Sequence, residues 1–458
     1  MSAKTPAHLQ KDFREISGWG RYPRGRGLVV RPETIEEVEP AIFESVIARG
    51  QGRSYGNAAM NEGGVVMMTE KLDRVISFDE RNGWLTAEAG MTLDEVFRNF
   101  LPRGWFPSVT PGTRFVSLGG CVAADVHGKN HHHDGTFGAN VREIEIAMAD
   151  GSRVRCSPER NAELFFATLG GMGLTGVITE VTYRLIPVES AYVVVRHNKA
   201  RDLDASLSLL EGEEWDDRYS VAWIDCLARG RALGRSVLMS GHHARREEIS
   251  GKIEEPLKLK ERGKLNLPFD FPQWVLNSLT ISAFNRFYYL WQGAKREPFV
   301  TDYATFFHPL DSINNWNRMY GRRGFIQYQC VLPPQESSEG LRKLLEELAR
   351  ERRASFLAVL KRFGAQNQGM LSFPMEGYTL ALDMPVSDGG LFPFLDRLDE
   401  IVLKHGGRVY LAKDTRVKAE TFRRMYPRFS EWEQVKRKVD AENRFNSDLA
   451  RMLEIGTQ

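Results

Sequence analysis

The chain has 458 residues, of which 42% are apolar, 27% charged and 10% aromatic. That length exceeds what a single hydrophobic core ordinarily serves, so we expect two domains sharing a cleft, and the composition excludes a disordered or fibrous protein. Lysine and arginine number 62 against 60 acidic residues, and the net charge of +2 excludes a global field that would attract nucleic acid or an anionic membrane.

Cysteine usage and hydropathy predict the compartment. The four cysteines form no CxxC pair, which argues against a zinc site or a disulfide framework. The N-terminus carries no apolar run of secretory-signal length, and no stretch approaches the roughly 20 apolar residues that cross a bilayer. We therefore expect a cytoplasmic protein whose only membrane contact is peripheral, at the inner membrane.

Short β-like runs alternate with glycine-rich turns over roughly the first 185 residues, which predicts an α+β domain. Strands are expected at 27–30, 64–68 and 85–89. A hairpin is expected around Asp150-Gly151, between runs at 144–148 and 153–156, with positive φ at both turn centres.

Two helices are expected in the same region, at 34–45 and 92–99. Each begins with a Thr that is followed three residues later by a Glu, which is the capping-box pattern.

A longer mixed region follows Pro187 and predicts a second domain, with helices at 206–213 and 338–352 and strands at 221–224 and 326–331. The tail from Gly407 either ends this domain or folds back onto the first. We assign residues 1–189 to a cofactor-binding domain, 190–405 to a substrate domain and 406–458 to a C-terminal segment returning to the first domain.

The segment 48–57, Ala-Arg-Gly-Gln-Gly-Arg-Ser-Tyr-Gly-Asn, suits a diphosphate. Small residues let backbone N–H groups approach phosphate oxygens, while the arginines and Ser54 add donors and countercharge. The alternative is a tight turn with exposed arginines. A second small-residue cluster lies at 111–130, and two such loops could clasp one extended dinucleotide.

Two other patterns are set aside. Residues 171–176 match G-x-G-x-x-G, but a helix-like run at 162–169 precedes them and a β-like run at 177–185 follows, the reverse of a Rossmann site for NAD. The adjacent histidines 131–133, close to His127, lack the spacing of zinc ligands, so we predict no metal.

In chain order these motifs resemble the vanillyl-alcohol-oxidase-type flavoproteins. The motifs are the loop 50–57, PGTR at 111–114, SLGG at 117–120, DVHGKNHH at 125–132, GGMGLTG at 170–176 and YLAKDTR at 410–416. Within that superfamily the chain is most similar to the decaprenylphosphoryl-β-D-ribose 2′-oxidase family, because HGKNHH, the YxAKDxR run and RRMYPR at 423–428 recur there. The resemblance implies a two-domain α+β fold, with an FAD-binding domain and a mixed α+β substrate domain.

The resemblance also implies the cofactor contacts. They are Ala48, Arg49, Gly50, Gln51, Gly52, Arg53, Ser54, Tyr55, Gly56, Asn57, Ala58, Gly112, Ser117, Leu118, Gly119, Gly120, Ala124, Asp125, Val126, His127, Ile178 and Tyr410. Relatives with covalently attached flavin often carry His where this chain has Arg53, so noncovalent FAD is implied.

Oxidation of a carbinol needs a hydride acceptor and a group that removes the hydroxyl proton. The resemblance implies Lys413 for this role and His127 as a second polar contact; a solvated Lys-Asp-Arg cluster is the alternative. The implied substrate residues are Tyr55, Lys129, Trp223, Gln329, Lys361 and Phe363. The lysines could offset a phosphate, and the aromatic rings could wall a sugar or lipid.

A departure and a distinctive segment bear on the substrate. The mycobacterial members have Cys and Asn where this chain has Ala381 and Thr379, so identical substrate or inhibitor behaviour is not implied. A basic run at 258–262 leads into an aromatic-rich stretch at 269–291, which predicts a membrane-facing lid or, alternatively, a buried helix pair.

The resemblance thus implies oxidation of the 2′-hydroxyl of a polyprenyl-phosphoryl pentose to a 2′-keto sugar. This is the first half of an epimerisation that supplies an arabinan precursor for cell-wall biogenesis, completed by a separate NAD(P)H-dependent short-chain reductase. One alternative is a soluble alditol or aldonolactone oxidase on the same fold. The other is a catalytically silent lipid-binding flavoprotein.

Overall fold

The computed structural model describes residues 10–212, 217–260, 263–272, 275, 277–294, 297–353, 355, 357–386 and 389–456. Its strands in chain order are β1 (Gln10–Ser17), β2 (Arg24–Arg31), β3 (Val46–Arg49), β4 (Val65–Met68), β5 (Val75–Asp79), β6 (Trp84–Glu88), β7 (Trp105–Pro107), β8 (Val141–Ala147), β9 (Arg153–Cys156), β10 (Val177–Pro187), β11 (Tyr192–Ala200), β12 (Tyr219–Ile224), β13 (Ser236–His243), β14 (Leu265–Asn266), β15 (Phe299–Asp302), β16 (Ile313–Asn314), β17 (Phe325–Leu332), β18 (Ala358–Phe363), β19 (Gly377–Pro385) and β20 (Arg408–Val409).

The α-helices in chain order are α1 (Leu93–Phe100), α2 (Leu118–Ala123), α3 (His131–Asp134), α4 (Ala162–Thr168), α5 (Leu203–Glu211), α6 (Arg246–Ile249), α7 (Ser278–Gln292), α8 (Tyr303–Phe307), α9 (Pro334–Arg350), α10 (Leu391–Lys404), α11 (Ala419–Met425), α12 (Phe429–Val439) and α13 (Asp448–Met452). Within the residues described, no helix is long and apolar enough to cross a membrane.

The first half of the chain builds two sheets. A four-stranded sheet has the order β1-β2-β4-β3, with β4 parallel to both β2 and β3. A second sheet has the order β5-β6-β10-β8-β9, with β7 also paired to β10. Because β3 is parallel to its neighbour, the loop after Arg49 leaves at the carboxyl end of the strand, a usual place for ligand loops.

The second half is dominated by an eight-stranded sheet in the order β15-β11-β13-β12-β18-β19-β17-β20. Side chains alternate across it. On one face, Ala222, Leu238 and Leu360 belong to the core that includes α5, α9 and α10. The opposite face, called the inner face below, carries the odd-numbered neighbours Val221 and Met239 and lines a cavity.

The C-terminal tail connects the large sheet with the first one. It begins with β20, which pairs with β17, and α12 contacts α4. Near its end, the Val46 amide of β3 donates to the Arg444 carbonyl at 2.8 Å, and the Asn446 amide donates to the Val46 carbonyl at 3.1 Å.

The mixed α+β fold class is confirmed, and so are the predicted strands of the first domain. The Thr92–Glu95 capping box opens α1 as predicted. Helix α4 precedes residues 171–176 and β10 follows them, which confirms that this segment is not a Rossmann turn.

Two local predictions were wrong. Residues 34–45 form two short 3-10 turns, Ile35–Glu37 and Pro40–Ile42, instead of an α-helix. Pro40 lacks an N–H donor and disfavours helical geometry at the residue before it, and the Thr34 side chain makes no capping bond. At the hairpin, only Gly151 has positive φ (+88°). Its loop is longer than two residues, because the Met148 amide donates to the Ser152 carbonyl at 2.8 Å.

Candidate active site

A cavity of about 570 Å³ lies where the glycine-rich loops meet the inner face of the large sheet. Its walls come from the loops at 48–59 and 110–129, the approach to β10 at 172–178, strands of the large sheet, helix α7, and the segments 305–311 and 410–413.

The two small-residue loops predicted to clasp a dinucleotide do meet. A side chain at Gly50 would place its Cβ 2.0 Å from the Ser117 Oγ, so only glycine allows this approach. Ser117 in turn caps α2, since its Oγ accepts from the Gly120 amide at 3.3 Å. The pair of loops therefore lines the cavity with closely approached backbone, as a diphosphate requires.

Arg53 supplies a half-buried cation in the same wall. Its guanidinium lies 4.1 Å from the Trp19 ring centroid, and desolvation lowers its pKa. Its Nε is buried and has no hydrogen-bond partner among the described residues. Because a buried unpaired donor is costly, an anionic ligand at this point would be stabilised. The glycine cradle and this orphaned donor together fit the diphosphate of FAD.

Most of the residues predicted to contact the cofactor lie in the cavity wall. These are Ala48, Gly50, Gln51, Gly52, Arg53, Ser54, Tyr55, Ala58, Gly112, Ser117, Gly119, Gly120, Ala124, Val126, His127, Ile178 and Tyr410. The structure does not place Arg49, Gly56, Asn57, Leu118 or Asp125 among the lining residues.

Two of the predicted residues outside the wall, Arg49 and Gly56, support it from behind. Arg49 donates to the Ser17 and Ala59 carbonyls, at 2.7 and 3.1 Å, and so holds the glycine loop. A Cβ at Gly56 would lie 1.8 Å from the Asp414 carbonyl oxygen, so this glycine lets the loop touch the 410–416 run.

Lys413 lies beside the aromatic ring of Tyr55, with Nζ 3.7 Å from the ring centroid. The two segments are tied together, because the Tyr55 amide donates to the Ala412 carbonyl at 3.0 Å. Desolvation lowers the pKa of Lys413; Lys361 lowers it further, and Asp383 opposes both effects. Burial likewise raises the pKa of Asp383.

His127 forms a second polar group of this wall. Its Nε2 lies 3.0 Å from the amide nitrogen of Gln329, which also donates to the Thr379 hydroxyl at 3.1 Å. Desolvation, with a contribution from Lys361, holds the pKa of His127 well below its usual range, so the ring is neutral near pH 7. With Nε2 accepting from the amide, the proton belongs on Nδ1, which has no partner among the described residues.

Two further lysines add positive charge to this end of the cavity. Desolvation lowers the pKa of Lys129 to about 7 and that of Lys361 to about 8. The Lys129 ammonium donates to the Phe306 carbonyl and lies 4.2 Å from that residue's ring centroid. Among the described residues that line the cavity, Asp311 is the single carboxylate, so this lining has an excess of cations.

The predicted substrate residues also divide into those that line the cavity and one that lies behind its wall. Tyr55, Lys129, Trp223, Gln329 and Lys361 line the cavity. Phe363 is not among the lining residues; it packs beneath His127, with ring centroids 4.7 Å apart, and orients that imidazole from behind.

Sequence reasoning missed Asp383 as part of the site. This carboxylate is fully buried in β19, where it accepts from Gln327 at 2.6 Å and from Tyr320 at 3.3 Å. The available signal was an aspartate within a strand that is otherwise buried and apolar, because such a charge is costly without a specific partner.

The aromatic-rich stretch forms helix α7, not a helix pair, within the part of the chain that is described. Its inner stripe consists of the buried Ile281, Asn285 and Gln292 and the half-buried Tyr288, and Tyr288 and Gln292 line the cavity. Its outer stripe leaves Leu279, Phe287, Leu290 and Trp291 exposed. Trp274 and part of the basic run, residues 261–262, lie outside the described residues.

A glycine cradle for a diphosphate, opening onto a desolvated lysine and a buried histidine, defines an FAD-dependent oxidoreductase that acts on CH–OH groups. The FAD binding domain family matches residues 27–157, and the D-arabinono-1,4-lactone oxidase family matches residues 325–453. The chain belongs to the decaprenylphosphoryl-β-D-ribose oxidase family, being 38% identical to decaprenylphosphoryl-beta-D-ribose oxidase of Mycolicibacterium smegmatis over 96% of this chain and 98% of that protein.

Two other relatives match a smaller part of the chain. An uncharacterized protein in the mprA 5′ region of Streptomyces coelicolor is 34% identical over 79% of this chain and 100% of its own length. A putative D-arabinono-1,4-lactone oxidase of Neurospora crassa is 28% identical over 36% of this chain and 30% of its own length.

Proposed function

We propose that this chain oxidises the 2′-hydroxyl of a polyprenyl-phosphoryl pentose, similar to decaprenylphosphoryl-β-D-ribose, to the 2′-keto sugar. The observation that carries the proposal is the grouping of His127 with three lysines in the cavity wall, where Lys361 lies close enough to lower the pKa of His127, Lys129 and Lys413. In this assignment residues 1–189 and 406–458 hold the cofactor, and residues 190–405 form the substrate domain, with the substrate bound in the cavity between them. Bound FAD supplies the acceptor for the hydride that leaves the carbinol carbon.

Lys413 takes the hydroxyl proton. A desolvated amine is neutral in a larger fraction of molecules than an exposed one, because burial disfavours the ammonium. The neutral Nζ can therefore accept the proton as the carbon–hydrogen bond breaks. The carboxyl of Asp383 then stabilises the ammonium that forms, since its charge favours the protonated lysine.

His127 orients the sugar. Its Nε2 is engaged by Gln329, so Nδ1–H remains as a donor for a substrate oxygen. The neutral ring cannot repel the neighbouring lysines. Lys129 and Lys361 bind the substrate phosphate, whose negative charge restores the ammonium form of both side chains.

We also propose that FAD is held noncovalently, because Arg53 stands where covalent relatives often carry the flavin-linking His. Acid precipitation should release all of the flavin into the supernatant. Flavin retained in the protein pellet would contradict this assignment.

The exposed stripe of α7 is the proposed contact with a membrane surface. Leu279 is 80% exposed and Phe287 62% exposed, which is costly in water and favourable at the acyl boundary of a bilayer. Replacing Phe287 and Leu290 with Ser should reduce cosedimentation with anionic phospholipid vesicles. Phe13→Ser, which removes an aromatic ring 55% exposed on β1, is the matched control, and equal vesicle binding by both variants would refute the assignment.

The 2′-keto product requires a partner. Completing an epimerisation means returning a hydride to the opposite face of the carbonyl, so a separate NAD(P)H-dependent short-chain reductase is proposed to consume the product.

The test of the proposed reaction is an anaerobic absorbance spectrum before and after addition of farnesylphosphoryl ribose. Bleaching of the flavin band, with a keto sugar recovered, is the expected result. If this substrate does not reduce the flavin but a free alditol or aldonolactone does, the proposal is wrong and the protein is a soluble-sugar oxidase. Flavin that no substrate reduces would instead indicate a catalytically silent protein.

A further inference from the structure

We infer that one arm of the cavity is the subsite for the first isoprene units of the substrate's tail, an inference that rests on the proposed function. This apolar arm is lined by Val195, Val221, Met239, Tyr288, Phe299 and Val359. It lies under α7, on the five strands from β15 to β18 of the inner face, whereas Lys413 follows β20 at the other edge of the sheet.

Strand register makes the arm continuous. Val221 of β12 pairs with Met239 of β13, and Val195 of β11 pairs with Phe299 of β15. Because these residues project from the same face of adjacent strands, their side chains form a floor that is apolar except at His197 of β11, which lies opposite Met239.

The same register leads from the arm to the polar end. Trp223 of β12 pairs with Val359 of β18, which pairs with Ala381 of β19, which pairs with Gln329 of β17. One row of side chains therefore passes from apolar residues to the amide that engages His127. A ligand lying along this row would have a hydrocarbon portion at one end and a polar, anionic portion at the other.

Helix α7 closes the arm from above. The Tyr288 ring packs on Trp223, with centroids 4.8 Å apart. Asn285, one turn earlier on the same stripe, is buried and donates to the Asp225 carboxylate at 2.7 Å. This bond, together with the Tyr289 hydroxyl donating to the Ala200 carbonyl at 3.2 Å, fixes the helix over the sheet.

The side chains that line the arm favour a hydrocarbon tail over a free sugar. A free sugar needs a hydrogen-bond partner for each hydroxyl that it buries. The polar side chains of this part of the cavity are His197, Gln292 and Thr301, against six apolar ones, and the His197 Nδ1 already lies 3.3 Å from the Gln292 carbonyl oxygen. An isoprene unit makes no such demand and gains free energy from every methylene that it buries.

The test compares kcat/KM for ribose phosphodiesters that carry prenyl, geranyl or farnesyl tails. The substrates are kept in solution by detergent below its micelle-forming concentration, so that partition into a membrane or micelle does not contribute. In the unaltered enzyme, kcat/KM should rise about tenfold or more with the first added isoprene unit, because burial of two methylene groups alone is worth about that factor. Met239→Trp fills the arm and should abolish most of this preference. Glu346→Trp, at an exposed position of α9, is the matched control and should retain it.

Each outcome is decisive. If the unaltered enzyme oxidises all three substrates equally well, the tail subsite is refuted while the proposed reaction stands. If it oxidises none of them, the proposed reaction fails and the inference fails with it. If Met239→Trp does not fold, Val195→Phe narrows the same arm by a smaller volume, and an unchanged chain-length preference in that variant would refute the inference.

Discussion

Lys413 should control the pH dependence of flavin reduction, because the proposed step requires its neutral amine. Burial lowers the pKa of Lys413 to about 7. The value of kcat/KM should therefore rise with pH through that pKa, and it should fall again at higher pH as Lys361, whose pKa is about 8, loses the proton with which it binds the phosphate. Lys413→Met should lower kcat by about 10² to 10⁴-fold, the usual contribution of a positioned general base, and should remove this acidic limb.

Two neighbours of Lys413 should shift the acidic limb of the kcat/KM profile in opposite directions along the pH axis. Asp383 raises the pKa of Lys413, so Asp383→Asn should shift the limb to lower pH. Lys361 lowers the same pKa, so Lys361→Met should shift the limb to higher pH, in addition to weakening substrate binding. A merely structural role for Asp383 would reduce flavin content or stability without moving the limb.

The assay is anaerobic stopped-flow reduction of the bound flavin by farnesylphosphoryl ribose across the pH range. Flavin content, measured from the absorbance spectrum of each variant, is the control for folding and cofactor loading. Shifts of the same sign in Asp383→Asn and Lys361→Met, or an acidic limb that survives in Lys413→Met, would refute the assignment of the base.

Two further variants test the cradle and the roof of the cavity. Gly50→Ala should abolish most flavin binding, because its Cβ would lie 2.0 Å from the Ser117 Oγ, whereas Gly389→Ala, where no atom lies within 4 Å, should retain full flavin content. Asn285→Ala removes a buried partner of Asp225 and should lower the free energy of unfolding by about 1 to 3 kcal/mol; an unchanged denaturation midpoint would show that this bond does not hold α7.

Local patterns predicted the elements whose chemistry is local. The capping box at Thr92 and the small-residue composition of residues 48–58 act over a few positions, so they can be read without knowledge of the fold. The failed helix at 34–45 is also local, because Pro40 breaks the pattern that Thr34 and Glu37 indicate.

The relations between distant segments could not be predicted in this way. The influence of Asp383 on Lys413 depends on how β19 lies relative to the turn after β20. The contact between Gly50 and Ser117 joins two loops from different sheets. The apolar arm exists only because the register of five strands brings valines and aromatics of one face into line. Each of these is a property of tertiary packing, on which no single stretch of sequence reports.

Because three lysines lie close together in the cavity, binding of an anionic substrate should change the pKa of Lys413. In the free cavity Lys361 lowers the pKa of Lys129, His127 and Lys413, since each charge opposes the others in a desolvated space. An anionic phosphodiester entering that space favours the protonated forms, so the pKa of Lys413 should be higher in the complex than in the free enzyme. Because kcat reports groups in the complex and kcat/KM reports groups in the free enzyme, the acidic limb of kcat should lie at higher pH. Coincident limbs would mean that the phosphate binds away from these lysines, and the polar end of the cavity would then need another ligand.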